Sequence, residues 1–123
     1  MLIKVLIADD IAEVRRLEKR VLENDTEIEV VGEAADVPEA IRLVGALKPD
    51  VIVMDLNMPG DGFEATQAVK ARRPQVRVLA TTAEPELYGP DAVGELGADA
   101  LLDKTEIGQE LIPAIKRLAR IAA

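Results

Sequence analysis

The chain has 123 residues, 49% of them apolar and 31% charged, with a mean hydropathy of +0.10; that is one globular core and too little chain for two. With 23 acids against 15 bases the net charge is −8, so the domain alone repels nucleic acid. It has no cysteine and no histidine, and its longest apolar run is Leu43–Leu47, which excludes disulfide scaffolds, thiolate and imidazole metal sites, Ser-His hydrolases and a membrane-spanning helix.

Ile3–Ala8 reads as the first strand, with no secretory signal ahead of it, so a cytoplasmic protein is expected. Val14, Leu17, Val21 and Leu22 then fall at i, i+3, i+7 and i+8, the apolar stripe of a first helix. Glu29–Ala34 is the second strand. Asp36-Val37-Pro38-Glu39 opens the second helix with an acidic cap and a proline in the first turn; Ala40, Ile41, Val44 and Leu47 form its apolar face, and Pro49 stops it. Val51–Met54 is the third strand, and a third helix runs from about Phe63 to Arg73, ended by Pro74. After a fourth strand, Arg77–Thr81, the stretch Pro85–Leu96 carries Gly89, Pro90 and Gly94 and predicts only a short helix near Pro90. Ala100–Leu102 is the fifth strand. The last helix has Leu111, Ile115, Leu118 and Ala122 on one side, with Pro113 expected in its first turn or at a kink.

No repeat, linker or low-complexity tract interrupts this alternation, which predicts a single-domain, doubly wound α/β sandwich over residues 1–123. Ligands of such sheets bind beyond the carboxyl ends of the strands. There the chain places Asp9-Asp10, Asp55, Thr81-Thr82 and Asp103-Lys104. Three converging carboxylates repel one another unless a cation sits among them, and a hard divalent ion such as Mg²⁺ suits oxygen ligands. A carboxylate can also attack a phosphoryl group, provided positive charge meets the phosphoryl oxygens. Each piece has a plainer explanation. Asp10 with Glu13 makes a capping box, Asp55 a turn, and Lys104 and Thr82 solvated loop residues. It is their joint occurrence at four strand ends that points to a site.

Ala8-Asp9-Asp10, the run Val51 to Pro59 with Asp55-Leu56-Asn57-Met58-Pro59 at its end, Thr82-Ala83, and Gly97-Ala98-Asp99 leading to Lys104 together resemble a response-regulator receiver domain of two-component systems. Val30-Val31-Gly32-Glu33-Ala34 and Asp103-Lys104-Thr105 are similar to receivers that precede a LuxR-type helix-turn-helix domain. The resemblance implies a flavodoxin-like (β/α)5 sandwich of strand order 2-1-3-4-5. It implies Asp55 as phosphoacceptor, with Thr82 and Lys104 meeting the phosphoryl group. Asp9, Asp10, Asp55 and the Asn57 carbonyl would bind Mg²⁺. The partner implied is a sensor histidine kinase or phosphotransfer protein, and the chain would be no enzyme beyond its own phosphorylation and dephosphorylation. A DNA-binding effector domain outside this chain and a homodimer are both compatible with the resemblance, and the chain is either stand-alone or cut from a longer regulator.

The sequence departs from the family pattern in four places. Only Gly60 separates Pro59 from Asp61-Gly62, where two residues are usual; Leu101 stands where an aromatic switch residue is common; Thr105 replaces a proline after Lys104; and Tyr88–Gly94 is rich in glycine and proline. An interaction module that needs no phosphorylation is therefore an alternative. A phosphatase with an Asp nucleophile is a weaker one, because Asn57 stands where its second acid belongs. A flavin carrier is weaker still, with one Tyr, one Phe and no Trp to flank the ring.

Overall fold

The computed structural model describes residues 2–121. Five strands, β1 (Ile3–Ala8), β2 (Ile28–Ala34), β3 (Val51–Asp55), β4 (Arg77–Thr82) and β5 (Ala100–Asp103), form one parallel sheet in the order β2-β1-β3-β4-β5. Five helices connect or follow them: α1 (Ala12–Glu23), α2 (Val37–Leu47), α3 (Gly62–Arg72), α4 (Ala92–Leu96) and α5 (Ile107–Ile121), with single 3-10 turns at Pro85–Leu87 and Lys104–Glu106. This is the expected fold and strand order.

Alternation along the strands splits the core in two. Val5, Ile7, Val51, Val53 and Leu79 face α1 and α5, packing with Leu22, Leu111, Ile115 and Leu118. Leu6, Ala8, Ile52, Met54, Val78 and Ala80 face α2 and α3, packing with Ala40, Val44, Ala65 and Val69. Because both faces are covered, the buried stretches of the central strands are apolar on both sides, which is why Val5–Ala8 of β1 and Val51–Met54 of β3 read as continuous apolar runs.

Local chemistry sets the helix starts. Asp36 accepts from the Glu39 amide at 2.8 Å while Glu39 reaches back to the Ala35 amide at 2.9 Å; Asp61 accepts from the Glu64 amide at 3.0 Å. The Asp10–Glu13 capping box does not form. Ile11 occupies the N-cap of α1 without any side-chain cap, which frees Asp10 from that structural role.

Two other expectations are corrected, the buried face of α1 and a first-turn place for Pro113. The α1 face is rotated from the Val14–Leu17–Val21–Leu22 stripe: Leu17 is 47% exposed, and Glu18, a turn before Leu22, is buried in its place. The fourth helix is short and lies near Pro90, as expected: it runs from Ala92 to Leu96 and is closed by Gly97 at φ +75°. Pro113 lies past the first turn of α5, on its exposed side, so the carbonyl it leaves unbonded, that of exposed Gln109, sits on the solvent face. Ala122, expected on the α5 stripe, lies outside the described residues.

Candidate functional site

Four strands end in the same short-range turn. The Asp9 Oδ1 accepts from the Ile11 amide at 2.8 Å, Asp55 Oδ1 from Asn57 at 2.9 Å, Thr82 Oγ1 from Glu84 at 2.9 Å and Asp103 Oδ1 from Thr105 at 2.9 Å. A short polar side chain that bonds an amide two residues on turns the backbone out of the sheet. In the two buried acids it consumes one oxygen and leaves the other for something else. Asp9 and Asp55 are 0% and 3% exposed, and their Oδ2 atoms accept no hydrogen bond.

Lys104, at the end of β5, bridges these two acids. Its Nζ is 2.9 Å from Asp9 Oδ2 and 3.1 Å from Asp55 Oδ1, although the approach to Asp9 Oδ2 lacks the direction of a hydrogen bond. Burial opposes the ammonium charge, but the two carboxylates outweigh it and hold the Lys104 pKa above its usual value. Burial raises the Asp55 pKa, with the Asn57 amide and Lys104 pulling the other way and Asp9 adding to the rise. Asp10 is exposed, yet ligand oxygens of Asp9, Asp10 and Asp55 all lie within 4.8 Å of one another. Three acids thus cluster beside a lysine that pairs with only two of them, and the buried Oδ2 atoms of Asp9 and Asp55 accept no hydrogen bond. That is costly without a cation and fits a small, hard divalent ion such as Mg²⁺.

The other expected residues sit at the rim. Asn57 donates its amide to Asp55 and accepts from the Ala83 amide at 3.2 Å through its side-chain oxygen, tying the loop after β3 to the loop after β4. Thr82 is 1% exposed and its hydroxyl oxygen is engaged by Glu84, not by the acids. Its neighbour Thr81 pairs in register with Asp55, and its buried hydroxyl has no partner. Leu101 is half-buried against the α2–α3 core. The shortened loop after Pro59 closes through Gly60 at φ +110°, a conformation that glycine alone adopts readily.

Two residues were missed. Arg15 donates to the Asp9 carbonyl at 2.6 Å and pairs with Glu33 at 3.2 Å, fixing the strand end from α1. Glu18 is 1% exposed with Oε2 unpartnered; burial first, then the field of Asp9, raises its pKa from 4.5 to about 8, with Lys104 opposing and Asp55 adding to the rise. Its spacing held the signal, because Val14, Glu18 and Leu22 lie at i, i+4 and i+8 on one helical face.

A family model described as the response regulator receiver domain matches residues 5–116. Over 98% of the chain, a protein-glutamate methylesterase/protein-glutamine glutaminase of Anaeromyxobacter dehalogenans is 44% identical and the response regulator VraR of Staphylococcus aureus is 39% identical. The chain spans only 39% and 58% of their lengths. The response regulator domain of Thermotoga maritima CheB superposes with a TM-score of 0.86 at 27% identity, covering 98% of both chains. The receiver domain of NarL from Mycobacterium tuberculosis gives 0.76 at 32% identity, covering 94% of this chain and 97% of that one.

Proposed function

The chain belongs to the response-regulator receiver domain family of two-component signalling, and from that premise we propose that it is a switch thrown by phosphorylation of Asp55. The observation that carries this reading is the Asp55 carboxylate: buried at the end of β3, with Oδ1 held by both the Asn57 amide and Lys104 and Oδ2 left without a donor. A partner histidine kinase or phosphotransfer protein presents phosphohistidine. A carboxylate oxygen of Asp55 forms the new O–P bond as the N–P bond breaks, and the imidazole nitrogen keeps the electron pair. Asp9, Asp10 and Asp55, with the Asn57 carbonyl, would hold Mg²⁺. Bound there, the ion supplies positive charge to the phosphoryl oxygens.

The residues of the chain do the rest. Lys104 exchanges its pairing with Asp55 for the arriving phosphoryl group, which brings a charge of about −1.5 to −2. Thr82 turns its hydroxyl from Glu84 toward a phosphoryl oxygen and so releases the loop after β4. Charge-assisted hydrogen bonds of this kind are each worth about 1.5–3 kcal/mol, enough to bias a two-state loop. No helix among the described residues is long and apolar enough to cross a membrane, and the proposed setting is the cytoplasm. The chain corresponds to part of its curated relatives, so its output passes to a partner or a further domain, DNA-binding or catalytic.

The test is intact mass after incubation with acetyl phosphate and Mg²⁺. A single phosphoryl adduct that disappears with EDTA and in Asp55→Asn is expected. A folded sample that neither forms an adduct nor binds Mg²⁺ would favour the interaction module, a reading to which the shortened Gly60 loop and Leu101 lend support.

A further inference from the structure

We propose that the groove between the first turn of α3 and the Leu87–Leu96 segment docks a cationic, amphipathic segment of a partner protein. The groove encloses about 390 Å³, with Phe63, Leu87, Tyr88, Ala92 and Leu96 as its apolar lining. This volume admits two or three side chains. The chain possesses one Phe, one Tyr and no Trp, and both aromatic residues line this groove, Tyr88 with one side packed against a core whose fully buried members carry no ring. Phe63 is 47% exposed and Leu87, at 66%, is the most exposed large apolar residue among those described. Aromatic rings left at a surface concavity are what protein interfaces select, since they supply large contact area at small entropic cost.

Charge identifies the occupant. Asp61 and Glu95 line the groove, and the segments that build it also carry Glu64, Glu84, Glu86 and Asp91, all six exposed. Neither residues 49–69 nor residues 78–103 contain a single Lys or Arg. An apolar floor inside an all-acidic rim repels nucleic acid and repels a second copy of the same face. It complements a helix that presents aliphatic anchors flanked by Lys or Arg. The docking stands apart from the phosphoryl chemistry, although its Leu87–Tyr88 wall follows the loop pinned by Asn57 and Thr82.

The single tyrosine makes the groove its own reporter. A synthetic helix of about 14 residues, four turns of Lys, Leu and Ala without aromatics, is titrated into the protein at about 50 mM salt while Tyr88 fluorescence is read. A saturable 1:1 change is expected. Phe63→Glu and Leu87→Glu should each weaken it at least about tenfold, and Leu17→Glu on α1 should not. The milder Phe63→Ser and Leu87→Ser serve wherever circular dichroism shows a glutamate variant misfolded. The proposal is overturned by the absence of a saturable change, or by Leu17→Glu weakening binding as much as the groove variants do. It is also overturned if sedimentation finds a wild-type dimer that Phe63→Glu splits, because the occupant would then be a second copy.

Discussion

Both ends of the sheet carry carboxylates, and they are treated in opposite ways. At the amino end, Asp50 Oδ2 accepts from the Lys4 amide at 2.8 Å. Asp99 Oδ2 accepts from the Val78 amide and Lys70 Nζ, both at 2.7 Å, and Arg77 lies 3.5 Å from its other oxygen. At the carboxyl end, Asp9 and Asp55 are more deeply buried, yet each keeps an oxygen without a hydrogen bond. A satisfied acid is cement, for it ties the amino ends of β3 and β5 onto the neighbouring strands β1 and β4. An unsatisfied buried acid is a cost that folding alone does not explain, and on the proposed function it is where a cation and a phosphoryl group would complete the shell.

Exchanging the acids at the two ends is the strongest way to break this contrast. Asp55→Asn should abolish the phosphoryl adduct seen by intact mass while the protein stays folded. Asp99→Ala should keep the adduct and lower unfolding stability by about 3 kcal/mol, measured by urea denaturation, because it strands the Val78 amide and the Lys70 ammonium. If Asp99→Ala lost the adduct at unchanged stability, the division between structural and functional acids would be wrong. A smaller effect sharpens the contrast from the ligand side. Mg²⁺ at 100 times its dissociation constant should add about 2.7 kcal/mol to wild-type stability and nothing to Asp9→Asn, as read from the melting temperature. Equal stabilisation of both proteins would place the ion elsewhere.

Much of this was legible beforehand, for reasons that differ by residue. Strands buried on both faces declare themselves as short apolar runs, and the acids that end them follow directly, so Asp9, Asp10, Asp55 and Lys104 were readable as one edge. Thr82 was chosen over Thr81 only through the resemblance carried by Ala83. The structure leaves Thr82 bonded to Glu84 and Thr81 without a partner, a distinction made by side-chain rotamers that no spacing encodes. The α4 region was readable as weak from Gly89, Pro90 and Gly94, but not as the wall of a groove, since that depends on where α3 lies. The α1 face was misjudged because an apolar residue, Leu17, fitted a helical stripe as well as an acid, Glu18, fitted the competing one.

Glu18 supplies the smallest and most discriminating test, because it sits on the functional side of the contrast without touching solvent. Its pKa in the folded protein is raised to about 8 from 4.5, so between those values the folded state holds a proton that the unfolded chain releases. Stability from this group is therefore complete below pH 4.5 and is lost as pH rises toward 8. Over the two pH units from 5 to 7, the loss should be roughly 2–3 kcal/mol, since one pH unit of unmatched titration is worth somewhat over 1 kcal/mol. Asp55, raised in the same direction, adds a slope of the same sign, so the informative quantity is the difference between wild type and Glu18→Leu in EDTA. Glu18→Leu should flatten the curve and gain most at the alkaline end. Parallel curves would mean that Glu18 titrates in water, that α1 is turned with Leu17 inward, and that the acidic edge has no buried fourth member.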